Sequence, residues 1–298
     1  MASQRDVQNK IASVKNIQKI TRAMEMVAAA RLRRAEQRIA ALRPYADAIG
    51  RMTRQAAAAA GAEAMRLPLL TEHESQTKVA LLLVTGDRGL AGGFNSQIIR
   101  AGVRMSGELG EEGLQGVWYA SGRRGVSSLA FRGFELSGSY TGFADKPAYA
   151  DARTIADDLM QAYVDGKVDR VEMIFNSYVS PLTQHVNQQR LLPLTGEALM
   201  GDGDGAGEQS GPRAAVEYEP DPEKILRRLV PDYIEISIYR ALVESAAGFF
   251  GAQMTAMRSA SENAGEIITD YTLQMNRARQ AEITQEIMEV VAGAEGLT

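Results

Sequence analysis

The segment KIASVKNIQKITRAMEMVAAARLRRA, residues 10–35, decides the fold of this 298-residue chain. It contains neither glycine nor proline, and the first glycine of the chain is Gly50. Apolar or small side chains recur every three or four positions, which places them on one stripe of a helix. The sequence therefore predicts a helical segment over residues 1–60, with a kink or a loosened turn at Pro44. The predicted stripe is Ile17, Ile20, Met24, Ala28, Leu32, Ala35, Ile39, Leu42, Ala46 and Ile49.

The C-terminal segment, residues 222–298, repeats this pattern, with a possible kink at Pro231. Its length far exceeds the average helix of about 10 to 14 residues, and a helix of that length cannot bury its apolar stripe alone. The sequence therefore predicts that the two terminal helices pair with each other. The second stripe is Phe250, Met254, Met257, Ala260, Ala264, Ile267, Tyr271, Met275 and Ala278.

The charges of the two segments also favour this pairing. Residues 5–43 contain ten Lys or Arg and three acidic residues, a balance of +7, whereas residues 232–298 contain four Arg and ten acidic residues, a balance of −6. Helices of opposite sign attract, and a middle domain that connects them at one end makes the pair antiparallel. The alternative is that each charged run is only a solvated face. We predict an antiparallel coiled coil.

The middle of the chain changes from a helical period to strands that alternate with helices. Such alternation indicates an α/β sheet, and a turn at Ser180–Pro181 adds an antiparallel hairpin. We predict a Rossmann-like domain over residues 77–195, reached through a linker at 61–76 and followed by a flexible, acidic, Gly-rich loop at 196–221. The predicted strands are 78–86, 117–121, 170–181 and 185–192, and the predicted helices are 95–107 and 151–163.

Composition excludes several classes of function. The net charge of −4 gives no bias toward nucleic acid. The chain has no cysteine and two histidines, which argues against thiol chemistry and against a histidine-based metal or catalytic cluster. The longest aliphatic run, residues 79–84, is far short of the roughly 20 residues that span a bilayer. The acidic pairs at 111–112 and 157–158 are expected on solvated helix faces. We therefore predict no catalytic, cofactor or metal site and no membrane span.

A glycine-rich motif, TGDRGLAGGFN at residues 85–95, follows the first strand and precedes a helix. Phosphate-binding loops occupy this position in α/β folds. However, a P-loop needs a lysine after its last glycine, and no lysine occurs between Lys78 and Lys146. The glycines also lack the spacing of a dinucleotide fingerprint. We interpret the motif as a tight structural turn, in which glycine permits positive φ and close backbone approach. The turn residues are Gly86, Asp87, Arg88, Gly89, Gly92 and Gly93.

Three stretches together resemble the gamma subunit of F-type ATP synthases, in the right order and over nearly the whole chain. They are residues 10–35, residues 85–95, and the C-terminal run YTLQMNRARQAEITQEIMEVVAGAEGL at 271–297. Some positions depart from the family pattern. Ala91 and Gln253 stand where cysteine and arginine are common, and Met275 replaces a usual tyrosine.

The resemblance implies a central rotor stalk with no catalytic activity of its own. The coiled shaft would stand inside a ring of three alpha and three beta subunits. The α/β domain would form a foot at the epsilon subunit and the membrane c-ring. The implied location is peripheral, on the cytoplasmic face of a bacterial cell membrane. The mitochondrial matrix face is the alternative, which the lack of a visible transit peptide disfavours.

The resemblance also implies which side chains contact the beta subunits. These are Arg279, Gln280, Thr284 and Glu286, and we expect Met24 nearby on the facing helix. The small, apolar tail at 290–297 suits a tip that turns inside a sleeve. Two other classes of function stay open at this point. One is an α/β enzyme with helical extensions, and the other is a coiled-coil scaffold without a rotary role.

Overall fold

The computed structural model describes residues 4–61, 67–194 and 221–295. In sequence order, one long helix precedes and another follows a five-stranded sheet with three further helices in this part of the chain, which confirms the predicted fold class. The elements are α1 Gln4–Ala60, β1 Lys78–Val84, α2 Phe94–Glu111, β2 Gln115–Ser121, α3 Arg123–Phe131, β3 Leu136–Tyr140, α4 Tyr149–Val164, β4 Arg170–Ser180, β5 Thr183–Leu192 and α5 Pro222–Glu295.

Helix α1 buries a stripe with heptad spacing. The inward positions alternate steps of four and three residues, which is the spacing of a coiled-coil seam. The predicted stripe is wrong at Ile17 and Ile20, which are 53% and 59% exposed, because the seam passes through Gln18 and Thr21 instead. The helix continues through Pro44 without interruption. Its inward side chains are Val7, Ile11, Val14, Gln18, Thr21, Glu25, Ala28, Leu32 and Ala35.

The sheet has the strand order β3-β2-β1-β4-β5, in which β4 and β5 pair antiparallel and the other pairs are parallel. The central strand β1 is buried on both faces, as expected for a parallel strand written as an unbroken apolar run. On one face Leu83 meets Gly102 of α2, where glycine gives the helix room to approach. On the other face Leu82 joins a core that contains Ile155 and Leu159 of α4.

The terminal helices also contribute to this second core. Ile49 of α1 and Tyr233, Ile238 and Leu242 of α5 pack with the α4 face of the sheet. Residues 241–251 of α5 are buried on every side, which explains their nearly continuous small and apolar sequence. Helix α5 runs through Pro231 without interruption.

The chain forms two compact units, each of which includes part of both terminal helices. One unit consists of Met1–Ala29 with Gln253–Thr298, and the other consists of Ala30–Ala252. The boundary of each unit therefore falls inside the terminal helices, because the second unit takes in the stretches of α1 and α5 that share the core of the sheet domain. The predicted loop at 196–221 lies, except for its last residue, outside the described residues.

The segment predicted as a linker is partly built into the second unit. Leu67 and Leu70 are buried in its core. His73 contacts Asp169 at 2.9 Å and stacks on Tyr163, whose hydroxyl donates to the carbonyl of Thr71. Asp169 also accepts hydrogen bonds from the backbone amides of Thr77 and Lys78. These contacts fix the chain as it enters β1.

Candidate partner surface and strand-to-helix turn

The glycine-rich motif forms the turn between β1 and α2, and Asn95 closes it. The Asn95 side chain accepts a hydrogen bond from the Gly86 amide at 2.8 Å and donates to the Arg88 carbonyl at 3.0 Å. Gly92 has a φ of +55°, and Leu90 has a φ of +63°. Leu90 was not predicted to need this conformation, since glycine rather than leucine normally marks it.

Asp87 ties the turn to two other loops. One carboxylate oxygen accepts the backbone amide of Arg123, the first residue of α3, at 2.9 Å. The other accepts the amides of Gly142 and Ala144 at 3.0 and 3.1 Å. A negative charge at a helix N-terminus is favourable, and hydrogen bonds to a carboxylate are stronger than neutral ones. Asp87 therefore organises the carboxyl edge of the sheet.

The space that a nucleotide would occupy in a dinucleotide-binding fold is filled by the chain itself. Phe249 of α5 covers Gly86, where an added Cβ would lie 2.9 Å from its ring. At Gly122, with a φ of +94°, an added Cβ would lie 2.1 Å from the Thr85 carbonyl oxygen. The cavity left beside Thr85 and Phe249 measures about 10 Å³, which holds a single water at most. The side chain of Phe249 and the backbone at Thr85 therefore occupy the space directly against Gly86 and Gly122.

The acidic pairs have ordinary partners. Asp158 accepts the Tyr140 hydroxyl at 2.7 Å, and Asp157 lies 3.9 Å from Arg153 on the same helix. Across the described residues, no group of three or more His, Cys, Asp or Glu is placed to hold a metal ion. Among those same residues, no helix is both long and apolar enough to cross a membrane.

In the first unit α1 and α5 pair antiparallel with a constant register. Lys10 lies over the Tyr271 ring at 5.8 Å, and Gln18 donates to the Ser261 carbonyl at 3.2 Å. Farther along, Glu25 pairs with Arg258 at 2.9 Å. This ion pair has the reverse sign of the overall contrast between the helices, since its acid lies on the basic helix. The charge contrast indicated the right partners without indicating which side chains meet.

The register leaves the end of α5 without a partner helix among the described residues. Gln4 falls opposite about residue 277, so α5 extends past it by roughly 18 residues, or about 27 Å at 1.5 Å per residue. Every residue from 279 to 292 is exposed. Five large apolar side chains are among them, with 48 to 71% of their surface in solvent. They are Ile283, Ile287, Met288, Val290 and Val291.

Four of the five predicted contact residues lie on this projecting end. Arg279, Gln280, Thr284 and Glu286 are all exposed, and the Thr284 hydroxyl donates to the Gln280 carbonyl at 2.8 Å. The expectation that Met24 lies near them is wrong.

The register of the pair explains why Met24 is distant. Its neighbour Glu25 pairs with Arg258. Arg258 precedes Arg279 by about 20 residues, or about 30 Å of helix. Met24 instead belongs to a separate apolar stripe on the outer face of α1, with Ile17, Ile20 and Val27.

The sheet and the helices α2, α3 and α4 together are called the sheet layer. Sequence reasoning missed the contacts that join this layer to the terminal helices. Tyr178 donates to Glu36 of α1 at 2.5 Å, and Tyr149 donates to Glu235 of α5 at 2.6 Å. Their partners are 142 and 86 residues away in sequence. No local spacing signals such pairs, although isolated acids on an otherwise inward helix face are a weak indication.

Comparisons with known proteins agree with this architecture. A family model described as ATP synthase matches residues 3–297. The ATP synthase gamma chain of Rubrobacter xylanophilus is 44% identical over 297 residues, which cover 100% of this chain and 99% of the relative.

Solved structures share the fold at low sequence identity. A chain of the central stalk and c-ring of the Tetrahymena thermophila mitochondrial ATP synthase aligns with a TM-score of 0.61 at 24% identity, covering 81% of this chain and 99% of that one. A chain of the Euglena gracilis mitochondrial ATP synthase, in its OSCP, F1 and c-ring assembly, aligns with a TM-score of 0.66 at 14% identity, covering 99% and 94%.

Proposed function

Since the chain belongs to the ATP synthase gamma-chain family, we propose that it is the central rotor stalk of a proton-translocating F-type ATP synthase. It couples rotation of a membrane c-ring to conformational change at the catalytic sites of three alpha and three beta subunits. The chain is a mechanical subunit and is not itself catalytic. Its sheet domain acts as the foot, in contact with the epsilon subunit and the c-ring.

The projecting end of α5 is the single observation that carries the proposal. Most of the stability of a protein helix comes from packing of its apolar face, which this end lacks among the described residues, and large exposed apolar side chains mark an interaction surface. A sleeve formed by the alpha and beta subunits would cover Ile283, Ile287 and Met288 while leaving the shaft free to turn. Arg279 and Gln280 lie at the start of this end, where they contact a beta subunit in our proposal.

The outer stripe of α1 is a separate apolar surface of the shaft. Ile17, Ile20 and Val27 are each more than half exposed, and Met24 lies between them at helical spacing. Because this stripe faces away from the coiled-coil seam, it presents a second apolar surface to the surrounding subunits. The two surfaces have different chemistry. The apolar side chains at the end of α5 are mixed with acidic residues, whereas those on α1 lie beside basic residues, so the shaft is asymmetric.

Asymmetry is what the coupling mechanism needs. A rotor orientation changes the nucleotide affinity of a beta subunit only if the shaft contacts differ between that subunit's conformations. A shaft with unlike faces meets three otherwise identical sites in three different ways. Rotation then passes each site through the same sequence of states.

We place the subunit on the cytoplasmic face of a bacterial cell membrane, held there through its partners. Its gamma-chain relative in Rubrobacter xylanophilus is bacterial, which supports this location over the mitochondrial matrix. The attachment is peripheral.

Affinity capture of the tagged chain from mildly solubilised membranes tests the proposal. We expect alpha, beta, epsilon and ring subunits to co-purify, with ATP hydrolysis in the complex and none by the purified chain alone. Nucleotide turnover by the chain alone would favour the α/β enzyme, and a chain that binds no alpha or beta subunit would favour a scaffold. The same capture with a chain that lacks residues 279–298 tests the role of the projecting end, and this deletion should weaken capture of alpha and beta subunits.

A further inference from the structure

Three hydrogen bonds among the described residues of the unit that contains the sheet are of the same kind, and they differ in what they join. In each, a tyrosine hydroxyl donates to a carboxylate at 2.5 to 2.7 Å. Two of them connect the sheet layer to a terminal helix, and the third stays inside the sheet layer between β3 and α4. The bridging pairs are Tyr178–Glu36 and Tyr149–Glu235, and the internal pair is Tyr140–Asp158.

The bridging bonds are strong and directional. A hydrogen bond to an ionised acceptor is short and roughly twice as strong as a neutral one. Burial, together with the adjacent carboxylates, raises the pKa of Tyr178 and of Tyr149, so both hydroxyls keep their protons near neutral pH. Tyr149 is held further by an edge contact with the Tyr239 ring at 5.8 Å.

The remaining contacts between the sheet layer and the helices are of two kinds. The apolar core that includes Ile49 and Leu242 resists separation, but hydrophobic burial has no preferred direction and opposes sliding weakly. Further polar links, which include a hydrogen bond from Ser245 of α5 to the Val84 carbonyl at 3.4 Å, have defined geometry. Arg31 of α1 pairs with Asp145 at 3.0 Å, and Ser177 of β4 donates to Glu244 of α5 at 3.0 Å. Directional bonds thus reach both helices.

We infer that Tyr178 and Tyr149 are fastening residues, which fix the sheet layer to α1 and α5 and carry rotational load between them. That a load exists rests on the proposed function, whereas the fastening itself is a property of the chain. Each tyrosine bonds to a different helix, so torque applied to the sheet layer is divided between α1 and α5. Neither residue touches a nucleotide or a catalytic subunit in this scheme.

Spin-label distances in the full purified chain test the fastening. The chain has no cysteine, so Ser127→Cys on α3 and Ala40→Cys on α1, both exposed, give a unique pair of labels in this unit. Tyr149→Phe/Tyr178→Phe removes one directional link to each terminal helix, and the variance of the label distance should rise measurably above the wild-type value. In Tyr140→Phe, which loses an equivalent bond inside the sheet layer, the variance should stay unchanged.

The load is tested in the assembled complex in vesicles. Protons pumped per ATP hydrolysed should fall in the double variant and stay at the wild-type value in Tyr140→Phe. If the three tyrosines had only a structural role, the double variant and Tyr140→Phe would both lose thermal stability. The ratio of protons pumped to ATP hydrolysed would then stay at the wild-type value in both. Should the phenylalanine variant fail to assemble, Glu36→Gln/Glu235→Gln keeps neutral hydrogen bonds, and a smaller change in the same direction is expected.

The inference is overturned if the double variant matches Tyr140→Phe in either the distance variance or the pumping ratio. This outcome is distinct from failure of the proposed function. If the chain does not assemble with alpha and beta subunits, the rotor assignment fails, while the distance measurement on the chain alone still decides whether the bridging pairs fasten the sheet layer.

Discussion

Asp87→Asn is the perturbation that best probes the turn, because the change removes a charge while keeping the shape. In the native chain both carboxylate oxygens accept backbone amides, from Arg123 on one side and from Gly142 and Ala144 on the other. An asparagine has one acceptor oxygen and one NH₂ group. Whichever way the amide turns, its NH₂ group faces a backbone N–H donor.

The cost follows from these contacts. If the asparagine oxygen faces Gly142 and Ala144, both bonds become neutral, and the Arg123 amide loses its acceptor. Bonds to charged groups contribute about 1.5–3 kcal/mol and neutral ones about 0.5–1.5 kcal/mol, with a further cost for an unpaired donor. Because Asp87 is half-exposed, water recovers part of the loss. We expect the free energy of unfolding to fall by about 2–4 kcal/mol.

Urea unfolding of the purified full chain, followed by circular dichroism, measures this change. The matched control is Asp157→Asn, an exposed residue whose nearest cation is 3.9 Å away, and its effect should stay within about 0.5 kcal/mol. If Asp87→Asn costs no more than this control, the three amide contacts do not organise the carboxyl edge as described.

Three other changes have definite expected outcomes. Gly122→Ala should cost about 4 kcal/mol or more in urea unfolding, since a Cβ there meets a carbonyl oxygen at 2.1 Å, whereas Gly133→Ala, with similar φ and open space, should cost about 1 kcal/mol. Burial alone would raise the pKa of Asp169, but its hydrogen bonds lower it to about 2. The contribution of ionised Asp169 to the free energy of unfolding is therefore complete above about pH 4 and is lost as the pH falls toward 2. In Asp169→Asn, the drop in this free energy between pH 4 and pH 2 should be smaller by roughly 1–2 kcal/mol. Arg279→Ala/Gln280→Ala should leave unfolding unchanged within about 0.5 kcal/mol but lower ATP synthesis by about tenfold, and normal synthesis would remove both residues from the contact surface.

The long helices and the central strand were predictable because their signals are local and repeated. Residues 10–35 carry a helical period without glycine or proline, and β1 is one unbroken apolar run. Element α3 and strand β3 were missed. The first has nine residues and includes Gly125, and the second is a half-exposed five-residue edge strand with Gly138. Neither is long enough to show a period.

The register of α1 against α5 and the long-range contacts could not be predicted from the spacing of apolar residues. Both Ile17 and Gln18 fit a period near 3.6, and only the partner helix decides which of them faces inward. The same register separates Met24 from Arg279. Bonds such as Tyr178–Glu36 depend on the folded positions of remote residues, so composition and spacing give no sign of them. The turn between β1 and α2 could be located from its glycine-rich motif, whereas the positive φ of Leu90 could not.

Observation of rotation in single complexes tests the central claim most directly. The beta subunits are fixed to a surface, and a bead is attached through Ser127→Cys, a unique thiol on the sheet domain. With ATP present, the rotor assignment predicts that the bead turns in one direction with three pauses per revolution, one for each beta subunit. A bead that fluctuates about a single angle, while the same complexes continue to hydrolyse ATP, would contradict it.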